Sequence, residues 1–226
     1  MLKKYVLPAM RTILIGAAAL GLALFLPART FDYWQAWVFM AVFLAAVNAI
    51  GLYLSVKDPA LLERRKQVGP AAEQSITQKI IMSFALIGNL GLLVFCALDH
   101  RLGWSPAPAP VSIAGDGLVA LGLLIDFYTF RENSFGASNI RTEADQNVIS
   151  SGPYAIVRHP MYMGVLVMMI GVPLALGSFW GLAFLALILP MLVWRILDEE
   201  KLLMRDLPGY IEYAQKVRYR LAPFVW

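Results

Sequence analysis

Two short stretches hold most of the polar chemistry of this chain. The first, Ser151 to Gly164, reads Ser-Gly-Pro-Tyr-Ala-Ile-Val-Arg-His-Pro-Met-Tyr-Met-Gly. A residue before proline is pushed out of the α region, so His159 is expected to be extended. Proline is tolerated at a first helical position, where its missing N–H has no intrahelical partner to lose, so Pro160 should open a helix. Free backbone N–H groups near Met161 to Met163 then face the mouth of that helix, with Arg158, His159 and Tyr162 around them. A helix N-terminus beside a cation is suited to an anion. The second stretch is Trp194-Arg195-Ile196-Leu197-Asp198-Glu199-Glu200-Lys201. Arg195 and Glu199 are four residues apart and share a helix face. Such a pair adds only about 0.2–0.5 kcal/mol, and Arg before Glu is the weaker order, so helix stability is a poor reason for it. A solvated helix end and a polar site at a membrane surface are the two readings open to it.

The elements that must position these residues are greasy. Of 226 residues, 59% are hydrophobic and only 15% are charged, against about a quarter charged in a soluble domain. Mean hydropathy is +0.65. This composition describes a polytopic membrane protein of the all-α class, a helical bundle whose spans each need about 20 apolar residues. The single cysteine, Cys96, can form no intramolecular disulfide. The two histidines, His100 and His159, join no cluster with metal-ligand spacing. The net charge of +4 reads as membrane topology, with no nucleic-acid partner implied.

In chain order, an apolar run from Thr12 to Leu26 is a retained first span, since Pro27-Ala-Arg-Thr is a poor cleavage site. Span two runs from about Trp34 to Val56, with Phe31, Tyr33, Trp34 and Trp37 as its aromatic belt. Ala60 to Gln67 is a short interfacial amphipathic helix, ended by Gly69-Pro70. Span three is about Lys79 to Leu98, and the proline-rich Asp99 to Pro110 follows as an external loop without a catalytic cluster. Span four is about Val111 to Phe130, and Arg131 to Ser150 is polar and irregular. Span five is Pro160 to Leu176, with a tight turn at Gly177-Ser178. Span six starts near Phe179 and runs to about Leu207 as a helical extension. Pro208-Gly209 breaks it before a short helix, Tyr210 to Val217. With about six spans and both termini cytoplasmic, all but Arg29 and Arg101 of the 19 Lys and Arg residues fall on the cytoplasmic side, a strong positive-inside bias. The hairpin of spans five and six then makes the two polar stretches neighbours. Residues 1–78 read as N-terminal spans with an interfacial segment, and 79–226 as the core that carries the site.

Gly-Pro-Tyr-x-x-x-Arg-His-Pro-x-Tyr-x-Gly, one apolar hairpin, Arg-x-x-x-Glu-Glu, then Tyr-x-x-Tyr and a basic tail resemble the isoprenylcysteine carboxyl methyltransferases. The wider group includes the phospholipid N-methyltransferases. The resemblance covers roughly Asn139 to Trp226. It implies an S-adenosylmethionine-dependent enzyme acting on a lipid-like or prenylated substrate. Matched residue by residue, it implies that Gln146, Asn147, Val148, Ile149, Tyr154, His159, Pro160, Met161, Tyr162 and Glu199 hold the cofactor. Arg195 is matched to the substrate carboxylate, which its planar fork would grip as lysine cannot. Ser138 to Thr142 is also expected to contribute. No Gly-x-Gly-x-x-Gly follows a strand, so a cofactor site must come from helix ends and loops.

Two alternatives stay open. The same chemistry on a lipid amine such as phosphatidylethanolamine needs a base, for which Glu200 and Asp198 are candidates. The Arg-His-Pro-x-Tyr region is also similar to the C-terminal part of NADPH-dependent membrane sterol reductases. Asp126, an acid inside span four, is either functional or paired with Arg131.

Overall fold

The computed structural model describes residues 2–73, 75–136 and 147–226, and among these it is all helical apart from one isolated bridge between Pro106 and Ser178. Eight α-helices follow in order: α1 Leu2–Ala28, α2 Trp34–Lys57, α3 Pro59–Lys66, α4 Ile76–Leu102, α5 Ala109–Glu132, α6 Pro160–Ala175, α7 Trp180–Asp206 and α8 Tyr210–Lys216. Every apolar run expected to form a span is helical. α2, α4, α5 and α7 are long and apolar enough to cross a membrane; Ile13–Ala28 within α1 and the 16-residue α6 are shorter apolar helices. Large apolar side chains such as Leu14, Leu26, Leu52, Ile87 and Leu187 lie exposed on the outside of the bundle. A surface that faces lipid gains nothing by being polar.

The tightest packing is between α5 and α6, and glycine makes it possible. A Cβ on Gly122 would lie 2.5 Å from the carbonyl oxygen of Gly164, and one on Gly115 would lie 2.2 Å from the amide nitrogen of Ala175. The two backbones therefore touch, which only small residues at the crossing allow. This brings the start of α6 against the end of α5. α7 packs on α4 and α6, and α2 packs on α5, so the α6–α7 hairpin is held between earlier helices.

At the hairpin's closed end α4 extends past the expected boundary at Leu98 to Leu102, where Gly103 takes the left-handed conformation that commonly ends a helix. Asp99 is thus helical and buried, and it is satisfied. It accepts hydrogen bonds from the Ser105 amide at 2.7 Å and from the hydroxyls of Ser105 and Ser178. The same hydroxyls accept from the Trp180 amide at 2.8 Å and the Gly181 amide at 3.0 Å, capping the start of α7. The Tyr33 hydroxyl donates to the Leu176 carbonyl at 2.8 Å. The segment expected to be an external loop without chemistry is a polar clasp that ties α4, α6 and α7 together.

Candidate active site at the open end of the hairpin

His159 has φ −124° and Pro160 occupies the first turn of α6, the arrangement expected from the sequence. The Met163 amide donates to the His159 carbonyl at 3.1 Å, so Met163 is already part of the helix ladder and only the amides of Met161 and Tyr162 precede it. The backbone ahead of α6 pairs with the C-terminal tail. The Arg158 amide donates to the Tyr219 carbonyl and the His159 amide to the Arg220 carbonyl, both at 2.9 Å.

Side chains complete this corner around Glu200 of α7. Its carboxylate receives Arg220 Nε at 2.8 Å, makes an ion pair with Arg158 Nε at 3.1 Å and faces His159 Nε2 at 3.2 Å. A buried carboxylate with several donors is a locked group. Arg158 and Arg220, two fixed cations, share this one carboxylate.

A second chain of contacts runs beside the first. The Tyr162 hydroxyl donates to Glu199 Oε2 at 2.6 Å and accepts from Arg195 Nε at 3.0 Å. Arg195 Nη1 donates to Gln78 Oε1 at 2.8 Å, and Nη2 forms an ion pair with Glu73 Oε1 at 2.9 Å. Gln78 also donates to Asp198.

Arg158, His159, Tyr162 and Glu199 border an open cleft whose void, mouth included, is about 850 Å³. Its wall carries Asn147, Val148, Ile149, Tyr154, His159, Pro160, Met161, Tyr162 and Glu199 together with Arg158, Thr129, Phe130, Asn133, Phe135, Tyr210 and Tyr213. Nine of the ten positions expected to hold a cofactor thus line one space. The tenth, Gln146, and the segment Ser138 to Thr142 lie outside the described residues. Arg195 shares the Glu199 face of α7 as expected, but it does not border the cleft. Its guanidinium sits behind Tyr162, buried among Glu73, Gln78 and the phenol.

Asn133 was not singled out from the sequence, and Tyr210 and Tyr213 only as part of a motif. Asn133 Nδ2 donates to the Tyr154 hydroxyl at 2.9 Å, and the Tyr213 hydroxyl donates to the Tyr154 carbonyl at 2.7 Å. Burial pushes the Tyr154 phenol up to about 12; Asn133 opposes this and Glu199 reinforces it. Burial likewise raises Tyr210 and Tyr213, so these phenols stay neutral donors at physiological pH. Arg65 of α3, read as part of an interfacial face, instead reaches inward. It lies 3.9 Å over the Phe130 ring and donates to the Gly136 carbonyl at 3.1 Å. Burial lowers its pKa, opposed first by Asp126. The Asp126 side chain lies against α6 at Gly164 and attracts Arg65, while Arg131 lies 5.9 Å from the rings of Phe127 and Tyr128.

Comparison with known proteins finds two resemblances. The chain is 29% identical over 140 residues to the Delta(14)-sterol reductase of Mus musculus, covering 53% of this chain and 33% of the relative. The chain thus spans about a third of the length of that curated relative. Residues 111–208 match the family model for phospholipid methyltransferases. That region begins in α5, ends just past α7 and contains the Arg158-to-Tyr162 corner and Glu199, so it is the wider phospholipid methyltransferase group that residues 111–208 resemble, and the match supports a membrane methyltransferase.

Proposed function

We propose that this chain is an integral membrane methyltransferase that uses S-adenosylmethionine and methylates a lipid-borne acceptor. The observation that carries the reading is the wall of the cleft. Among the described residues, Glu199 is the only acid on it, and Arg158, beside Glu200, lies on the same wall. An amino-acid zwitterion needs both signs. Glu199 would hold the ammonium, and Arg158 with the first amides of α6 would hold the carboxylate. Phe130, Tyr154, Tyr210 and Tyr213 offer ring faces for a purine and a sulfonium. The residues present therefore fit the cofactor.

When bound, S-adenosylmethionine supplies an electrophilic methyl group. What the chain supplies is orientation of two reactants and exclusion of water, which together account for much of the acceleration in such displacements. The phospholipid methyltransferase match favours a lipid amine headgroup as acceptor. An amine must lose a proton. Glu200 and Asp198 are already engaged, by three basic groups and by Gln78 respectively. Glu199 accepts from Tyr162 and would hold the cofactor ammonium, so among the described wall residues no acid is left as base and the proton would pass to solvent at the open mouth. A carboxylate acceptor of the isoprenylcysteine kind would instead recruit Arg195, which would have to exchange Glu73 or Tyr162 for the substrate.

The reading includes six spans, with the two shorter helices crossing, and both termini on the cytoplasmic side with the cleft. It also includes an N-terminal unit, residues 1–78, packed on a core of residues 79–226. A second reading, NADPH-dependent reduction, is favoured by the similarity to the sterol reductase. Calorimetry on purified protein separates the two. Binding of S-adenosylmethionine without NADPH is expected, and NADPH binding alone would overturn the proposal. Methyl transfer to phosphatidylethanolamine and to a farnesylated cysteine then assigns the acceptor.

A further inference from the structure

Glu73 and Gln78 lie outside the region that matches the phospholipid methyltransferases, yet both are buried against it. Glu73 follows a 3-10 turn at Pro70–Ala72. Gln78 sits in the first turn of α4, where its amide donates to the capping hydroxyl of Ser75 at 3.1 Å. Together they receive the two terminal nitrogens of Arg195. A buried guanidinium needs a counter-charge, because an uncompensated interior charge is strongly destabilising. Glu73 provides it. With its two ends held, the rigid plane of Arg195 leaves Nε aimed at Tyr162.

The phenol has one proton. Since its oxygen accepts from Arg195, that proton is directed to the other neighbour, Glu199 Oε2. We infer that Glu73 is a positioning residue for the cleft: it holds Arg195, and through Arg195 and Tyr162 it fixes the orientation of Glu199. No chemistry at Glu73 itself is involved. The effect on cofactor affinity rests on the cofactor reading of the cleft, whereas the relay does not.

The test is a cycle of Glu73→Gln, Tyr162→Phe and the double variant in the full-length protein, with folding followed by helicity and by monodispersity in detergent. One readout needs no ligand: the rate at which a water-soluble carbodiimide labels Glu199, followed by peptide mass spectrometry. The other is S-adenosylmethionine affinity by calorimetry. Each single variant is expected to change the labelling rate at least threefold and to weaken affinity about tenfold, one charged hydrogen bond's worth. The double variant should go no further than either single one. An unchanged labelling rate in folded Glu73→Gln overturns the relay, as do independent effects that multiply in the double variant. Non-additive labelling in a protein that binds no S-adenosylmethionine keeps the relay and removes the cofactor reading. Glu73→Asp, which keeps the charge, takes the place of Glu73→Gln in the same cycle if the latter does not fold.

Discussion

Tyr162 and Glu199 are 37 residues apart and joined by a 2.6 Å hydrogen bond. A hydroxyl donating to a carboxylate at this distance is at the strong end of such bonds. Tyr162 belongs to the first turns of α6 and Glu199 to the far part of α7, so the bond closes the hairpin at the cleft. The acid on the wall is therefore oriented by the opposite helix as well as by its own.

Glu199→Gln and His159→Ala are each expected to weaken S-adenosylmethionine binding while leaving a folded protein. Loss of one charged hydrogen bond costs about 1.5–3 kcal/mol, or roughly ten- to a hundredfold in affinity. For Glu199 the loss is direct. For His159 it acts through Glu200, whose other partners then shift. Isothermal titration of both variants checks this, and wild-type affinity in both would leave the cleft without a cofactor role.

Arg195→Lys should lower both stability and cofactor affinity. A lysine ammonium cannot hold Glu73, Gln78 and Tyr162 at once in the fixed plane that the guanidinium provides. An Arg195 that gripped a substrate carboxylate, as the family resemblance implies, would lose carboxylate methylation with little change in cofactor affinity. The buried position behind Tyr162 changes that expectation. Thermal unfolding and titration on the same preparation test it, and cofactor affinity equal to wild type would contradict the geometry.

Gly122→Ala should destabilise the protein by about 1–3 kcal/mol, the usual cost of overpacking. Its Cβ would meet the Gly164 carbonyl and the Met168 amide, which are backbone and cannot step aside. Gly117→Ala, in the same helix with open space around it, is expected to be neutral or stabilising by up to about 1 kcal/mol. Unfolding midpoints in detergent should separate the two clearly.

Single cysteines at Ala109 and Ser151, introduced after replacing the buried Cys96, are expected to label from opposite sides of the membrane. Labelling of both from one side would remove the arrangement in which α5 crosses and the cleft faces the cytoplasm.

What the sequence made legible was whatever depends on near neighbours. Apolar runs marked the long helices, and His159-Pro160 marked the start of α6. The i,i+4 spacing placed Arg195 and Glu199 on one face. What it hid were partners chosen by packing between distant helices. Nothing local to Glu73 says that Arg195 lies against it, and Arg65 in an amphipathic stretch reads as solvated until Phe130 is found beneath its guanidinium. Asp126 reads equally as functional or as paired with Arg131, but the two are five apart and do not share a helix face, and Arg131 lies by the rings of Phe127 and Tyr128 instead. Tyr213 belonged to a quoted motif, but its donation to the Tyr154 carbonyl needs α8 folded back on the Gly152–Ala155 turn.

The clasp at Asp99 makes the closed end of the α6–α7 hairpin a fulcrum. Ser105 and Ser178 pin the turn and the first amides of α7, so those ends cannot separate without breaking several bonds at once. The open ends are fastened as well, by Tyr162 to Glu199, by Arg195 to Tyr162 and by the Glu200 corner. The 16 residues of α6 form a lever roughly 24 Å long at 1.5 Å per residue. A tilt of about 5° at the pivot carries its free end through about 2 Å, enough to part a hydrogen bond. With α5 packed backbone to backbone against α6, such a tilt is resisted along the helix, and the clasp is the reference point that sets the reach of Tyr162 to Glu199.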